Sequence, residues 1–330
     1  MRTRVVGLVL IGLGAFALVA ALAVRVFLVP DVVKLPLDQN SEPTGVASDM
    51  DWFAIGTQTQ HTGETGAVNQ RIIGDPASAD ADGDTAVWSA GTVIKAEDGT
   101  MVSVSEYTAC LDRHAAAAAD CDSAATSVPG GSTPEGLTVT FPFHTEPKDY
   151  DVYNGTVGAT LPAEYAGADE VAGLDVYRFE QTVPETVTQS TEVTALMAGV
   201  TGAAPGTMVP ADVVHTNRIT WWVEPTSGIV VTSEQHPDSH IRTADGNRGV
   251  TMFAADVVAS EDTVATQAEL VDDTRSQIVL VEKTLPLGLV AIGVLALAAG
   301  VFLFTRRPRG AGVHRVDSVD EPPTSVLAGH

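Results

Sequence analysis

LPLGLVAIGVLALAAGVFLF, residues Leu285–Phe304, contains no charged side chain. As a helix its twenty residues extend about 30 Å, the thickness of a bilayer's hydrocarbon core. Arg306, Arg307 and Arg309 follow directly. Basic residues crowding one end of a spanning helix mark the cytoplasmic side. The chain therefore returns to the cytoplasm at this helix, and what precedes it lies outside if there is one earlier crossing.

A second apolar run opens the chain. Val5–Val24 is uncharged, preceded by Arg2 and Arg4 and closed by Arg25. Ala21-Leu22-Ala23 fits a small-x-small signal-peptidase pattern, so a cleaved signal peptide is the alternative. The run exceeds the usual signal core, which favours a retained anchor. The resulting division is a cytoplasmic N-terminus at 1–4, a first span at 5–25, an extracytoplasmic segment at 26–284, a second span at 285–304 and a disordered cytoplasmic tail at 305–330. Both termini are then cytoplasmic, in the plasma membrane. Gly7, Gly12 and Gly14 in one span, and Gly293, Ala296 and Gly300 in the other, are small enough for close helix packing. Neither span has an ionisable residue in its apolar run, which suits anchors better than an ion path.

The segment from Val26 to Lys283 has 11 basic and 39 acidic residues, a net charge of −28. Such a surface repels phosphate backbones, so nucleic acid is not an expected partner. Membrane lipids are expected around the spans.

Between the spans the pattern is mainly β. Trp52, Phe53 and Ile55 lead into TQTQHT, suited to a strand with one wet face. Arg71–Gly74, Thr85–Gly91, Thr92–Lys95 and Thr100–Tyr107 read as short strands, with Asp98-Gly99 as a tight turn. Leu137–Phe143 alternates into Phe-Pro-Phe. Ile219–Val223 and Ile229–Thr232 flank Glu224–Gly228 as a hairpin, placing Trp221 and Trp222 on opposite faces. From Ser260 a helix is expected, with Val264, Ala268 and Val271 on one face. The expected fold is an antiparallel β-sandwich or open barrel flanked by two transmembrane helices, with residue 165 a candidate boundary between subdomains 49–165 and 166–280.

Cys110 and Cys121 are the only cysteines; outside the membrane an even count points to a disulfide. Asp80, Asp82 and Asp84 alternate as in a calcium loop. The glycine and terminal glutamate of the calcium-binding hand are misplaced, so a solvated turn is the better reading. His236 and His240 are four apart, but Pro237 interrupts a shared helical face, and no third zinc ligand is evident. No metal and no cofactor is expected. Nucleophile-elbow, zinc-protease, phosphate-loop and dinucleotide motifs are missing from the sequence, and an enzyme is not the expected class.

Three blocks, TFPFHTEPKDYDVYNGTVG (140–158), EVAGLDVYRFEQTVPE (170–185) and ITWWVEPTSGIVVTSEQ (219–235), resemble the PorA-like family of actinobacterial membrane proteins. The matching residues are Phe141, Pro142, Phe143, Thr145, Pro147, Tyr150, Gly173, Tyr177, Phe179, Glu180, Trp222, Val223, Pro225 and Gly228. The chain departs from the family pattern at Asp151–Tyr153 and at Glu224-Pro225. The resemblance covers nearly all of residues 1–304 and implies a role in building a mycolate-containing envelope during polar growth; the helical spans, in place of outer-membrane strands, argue against a true porin. It implies an external domain that binds or hands on an acylated glycolipid such as trehalose monomycolate, beside a large RND-type lipid exporter. Phe141, Phe143, Phe179, Trp221 and Trp222 are then candidates for the lipid-binding wall, with ordinary core as the alternative for each. The competing functional reading is a lipid-free scaffold of the growth machinery that binds a membrane partner.

Overall fold

The computed structural model describes residues 2–306, so Arg307, Arg309 and the expected disordered tail beyond Arg306 lie outside the described residues. It divides into two compact units: the terminal helices, from Met1–Leu22 and from Leu287 onward, and the segment Ala23–Pro286.

The terminal unit contains helix α1 (Arg2–Ala23) and helix α4 (Leu285–Thr305). Both expected spans are thus helical and lie in helices long and apolar enough to cross a membrane. The chain is a two-pass membrane protein. The helices touch backbone to backbone at glycine. A Cβ on Gly7 would lie 2.8 Å from the Gly300 carbonyl oxygen, and one on Gly14 2.7 Å from that of Gly293. Gly12 faces open space. Gly7 and Gly14 are seven residues apart, two turns, and share a face; Gly12 lies about 140° round the helix from Gly7.

The larger unit is antiparallel β. Its strands are β1 (Asn40–Ser41), β2 (Thr44–Ala54), β3 (Thr59–Gly74), β4 (Thr85–Ala96), β5 (Met101–Asp112), β6 (Ala118–Ala119), β7 (Ala125–Thr126), β8 (Tyr150–Asn154), β9 (Ala159–Val171), β10 (Leu174–Thr194), β11 (Met208–Val223), β12 (Val230–Gln235), β13 (Asp238–Thr243) and β14 (Arg248–Ala259). A short helix α2 (Val29–Val32) precedes them and helix α3 (Glu261–Val279) follows. A π-helical turn, Leu280–Thr284, comes after α3.

The main path of the sheet runs β6-β5-β4-β3-β2-β14-β12-β11-β10-β9-β8. Its two ends meet at Leu137. The Leu137 N–H donates to the Asp151 carbonyl, the Tyr153 N–H donates to the Leu137 carbonyl, and the Ala118 N–H donates to the Gly136 carbonyl. Leu137 bridges Ala117 on one side and Val152 on the other. The sheet of the expected mainly β fold therefore curls round until one residue links its ends, which blunts the edges that would otherwise template aggregation.

Several local expectations change. Thr85–Ala96 is one strand, because Gly91 keeps register with both Arg71 and Glu106. Leu137–Phe143 is not a strand. Pro142 has no N–H to donate, and beyond Leu137 the segment is a strap fixed by single bonds: the Phe141 N–H to the Gly228 carbonyl and the His144 N–H to the Thr226 carbonyl. Residue 165 lies inside β9, whose ladder with β10 continues on both sides of it, and Ala23–Pro286 is one undivided unit.

The largest core joins Phe179, Phe141, Leu111, Trp88, Val152 and Val223, drawn from both ends of the sheet and the strap. β10 serves two faces. Phe179, Gln181 and Val183 point inward, whereas Leu174 and Val176 point outward and are covered by Val271 of α3. The Gln181 carboxamide, fully buried, donates to the Val152 and Leu161 carbonyls and so is satisfied.

Cys110 of β5 is bonded to Cys121, closing the Ala-rich loop. Replacing both cysteines by serine is expected to lower stability by about 3 kcal/mol, from the loop-closure entropy returned to the unfolded chain. Thermal unfolding of the full-length protein in detergent checks this; a midpoint unchanged by the double replacement would refute it.

Candidate functional site beneath α3

The ladder between β12 and β14 consists of two residue pairs, Glu234 with Val258 and Gln235 with Val257. Val230–Ser233 pair with β11 on one side and, among the described residues, with no strand on the other. The wall therefore has a gap, and α3 covers it.

α3 is placed by its first turn. Ser260 is the N-cap: its Oγ accepts the Thr263 N–H at 3.1 Å. The Thr263 hydroxyl accepts the Thr44 N–H at 2.8 Å and donates to the Thr44 carbonyl at 2.9 Å, fastening the helix to β2. Val264, Ala268 and Val271 then pack on Leu174, Val176, Trp222 and Val231, as their spacing predicted. In the π-helical turn, Glu282 Oε1 lies 2.9 Å from His144 Nε2 on the strap.

A cavity of about 370 Å³ remains under the helix. Its apolar wall includes Leu35, Val68, Ile72, Trp88, Phe143 and Val257. Another part of the lining is the α3 face carrying Thr263, Gln267, Leu270, Thr274, Gln277 and Ile278. The open edge of β12 forms a third side. Lys34 is the only ionisable residue on the described wall, and its Nζ lies 2.6 Å from Asp31 Oδ1. Among the described residues no carboxylate lines it, in a segment of net charge −28.

The five aromatic candidates separate. Phe143 lines the cavity. Phe141 and Phe179 do not: they stack at 4.7 Å between centroids, 3% and 0% exposed, inside the main core. Their alternation with polar neighbours reflects ordinary burial. Trp221 and Trp222 do take opposite faces. Trp221 packs on the main core with its edge toward Phe141, and Trp222 lies under α3 with its indole N–H donating to Asp169. Neither lines the cavity.

The side chains weighed as metal ligands are engaged with protein partners. Asp80 Oδ2 accepts the N–H and hydroxyl of Ser123, and Asp82 Oδ1 accepts the N–H groups of Asp84 and Thr85. Those backbone donors hold the Asp82 carboxyl below its usual range. The acidic turn thus caps itself. Cys110 and Cys121 stand beside Asp80, but their sulfurs are spent on each other. His236 pairs with Asp256, and His240 with Asp238 and Arg248. Burial pushes the His215 ring down to about 4, so it is neutral, with Nδ1 2.7 Å from Ser239 Oγ.

The model of the family described as Porin PorA matches residues 6–302, nearly the whole described chain and all of the cavity. The chain belongs to the PorA family. No curated protein matches it. This PorA-family protein is thus a membrane-anchored envelope protein with a large extracytoplasmic domain, and the blocks at 140–158, 170–185 and 219–235 supply its strap, the start of β10 and the gapped hairpin.

The α3 row escapes motif search, yet it carries a readable signal. Thr263, Gln267, Thr274 and Gln277 recur at helical spacing without a charge, whereas Glu261, Asp262, Glu269, Asp272, Asp273 and Arg275 occupy other positions of the same helix. A polar but uncharged stripe beside a charged one points to a face that is neither core nor open water.

Proposed function

We propose that the cavity beneath α3 holds part of an acylated glycolipid, such as trehalose monomycolate, and that the protein is a non-catalytic accessory that hands it on beside an RND-type lipid exporter. The observation that carries this reading is the lining: apolar side chains interspersed with uncharged hydrogen-bonding ones, in a space of ligand size. Each methylene moved from water to the apolar wall contributes about 0.8 kcal/mol. A volume of about 370 Å³ takes a head group and the start of a chain, not a whole long-chain lipid. Lys34 is the single ionisable residue on the described wall, so the described residues place no acid–base pair across the cavity, which supports binding over catalysis.

A pore reading has less support. Outward positions of the long strand β10 beyond the part that α3 covers, such as Glu180 and Thr182, are polar and exposed, where a lipid-facing barrel carries an apolar band.

Ser233 lines the cavity at the open edge of β12. Native mass spectrometry of the full-length protein, gently extracted from a mycolate-containing envelope, is expected to show bound acyl glycolipid. Ser233→Trp, which fills the space, is expected to cut that occupancy about tenfold or more, the loss of about 1.4 kcal/mol. A lipid-free native protein, or equal occupancy in the variant, would reject the proposal, and the former would favour the scaffold reading.

A further inference from the structure

We infer that the cavity beneath α3 is one end of a longer apolar channel, closed at its middle by Met50 and continued in a second cavity at the far turns of the sheet, and that the acyl chain of a bound lipid runs through it. The inference rests on the first cavity being a lipid site. What it adds is where a chain too long for that space goes.

The second cavity, of about 770 Å³, opens between the β2–β3 and β4–β5 turns. Its wall includes Trp52, Val102, Met252 and Phe253, with Ile55 and Met101 exposed at the rim. Met101 is the first residue of β5, whereas Leu35 of the first cavity donates its N–H to the Arg113 carbonyl, just past the last residue of that strand. The two cavities are thus at opposite ends of the sheet.

One hydrophobic cluster reaches both. Val68 and Val257 line the first cavity, Trp52, Val102 and Phe253 line the second, and all five belong to the same cluster. Along β14 the step from Val257 to Phe253 covers about 13 Å of strand. The rest of the cluster's buried members are Ala47, Met50, Ile94, Ala96 and Ala255. Three of these are alanines, so two side chains, Ile94 and Met50, fill the neck. Ile94 is β-branched and stiff. Met50 is unbranched and fully buried, and its end lies against the bare backbone of Gly66, where a Cβ would sit 2.9 Å from its Sδ. Such a side chain changes rotamer without breaking a hydrogen bond.

The strand that carries Met50 is irregular at the same place. β2 shifts register against β3 on both sides of Met50 and against β14 between Ala254 and Asp256, and Asp49 has φ +46°. Bulges of this kind interrupt the ladder and re-aim side chains. Trp52 is fixed by contrast: its indole N–H donates to Glu64 Oε2 at 2.8 Å, and its ring stacks on His61 at 4.2 Å between centroids. The mouth is held rigid, and the neck is closed by the one flexible side chain.

The test uses full-length protein in amphipol and two photoreactive monoglycerides, octanoyl and hexadecanoyl, each with a diazirine at the chain end. An octanoyl chain is too short to cross the neck, and a hexadecanoyl chain is long enough. After illumination, peptide mapping is expected to find the octanoyl end at Val68, Ile72, Trp88 or Phe143 and the hexadecanoyl end at Trp52, Val102 or Phe253. Met50→Phe puts a rigid ring in the neck and should cut far attachment about tenfold, with octanoyl attachment unchanged within about twofold. Ala96→Val narrows the neck more gently and serves if the first variant fails to fold. Hexadecanoyl ends found in the first cavity alone, or far attachment unmoved by the variants, overturns the channel and leaves the first cavity a lipid site. Octanoyl ends attached at Trp52 or Phe253 as strongly as hexadecanoyl ones make the far cavity a separate site and also overturn it. Attachment of neither probe in either cavity overturns the lipid site and this inference together.

Discussion

Phe179→Ala is expected to lower the stability of the extracytoplasmic unit by about 3–5 kcal/mol, the range for emptying a buried aromatic site. Phe179 is fully buried and meets three other rings: Phe141 at 4.7 Å, Tyr150 at 5.7 Å and Tyr165 at 5.8 Å between centroids. Those rings come from the strap, β8 and β9, so the void cannot be filled by one side chain swinging inward. Close packing across different elements resists collapse, and the cost stays near the upper part of the range. The effect should also reach the cavity, because Phe141 is two residues from Phe143 on the same strap. Denaturant unfolding of the full-length protein, followed by tryptophan fluorescence, measures it. A loss below about 1 kcal/mol would mean that this cluster does not hold the ends of the sheet together.

Much of the architecture was legible because its signals are local. The two spans are twenty-residue apolar runs, and each became a helix. The β11–β12 hairpin was announced by Glu224–Gly228 between two apolar runs, and Trp221 and Trp222 took opposite faces because strand geometry leaves no other arrangement. The Cys110–Cys121 bond follows from there being one pair. The strap was misread for an equally physical reason. Alternation at Leu137–Phe143 reports one buried face, and a segment crossing a core shows it as readily as a strand does. The cavity was illegible because it is assembled from Lys34, Gln70, Ser233 and Gln267, far apart in the chain, around a place where two strands fail to pair. A missing ladder leaves no mark on the residues that lack it. Of the five aromatic candidates Phe143 lines the cavity, whereas Phe141 and Phe179 lie in the main core. Large rings fill the core, and the space lies where smaller hydroxyl and carboxamide side chains meet it.

Gly228→Val is expected to cost about 3 kcal/mol or more and, if the cavity binds lipid as proposed, to empty it, for two separable reasons. Gly228 has φ +73°, a left-handed conformation that a β-branched residue adopts only under strain of about 1–3 kcal/mol. A Cβ there would also sit 2.7 Å from the Pro142 carbonyl oxygen and closer still to that of Phe141. Neither oxygen can swing aside alone, because the Phe141 N–H and the Thr140 hydroxyl both donate to the Gly228 carbonyl, each at 3.0 Å. The strap has to lift, taking Phe143 off the cavity wall. Gly99→Val separates the two costs: Gly99 has φ +87°, but a Cβ there meets nothing within 4 Å. That variant should lose only the conformational part, about 1–2 kcal/mol, and keep whatever lipid occupancy the native protein shows. Unfolding midpoints and lipid occupancy measured on both variants decide the matter. Equal losses in the two would show that the turn at Gly228 is merely strained and that the strap does not depend on it.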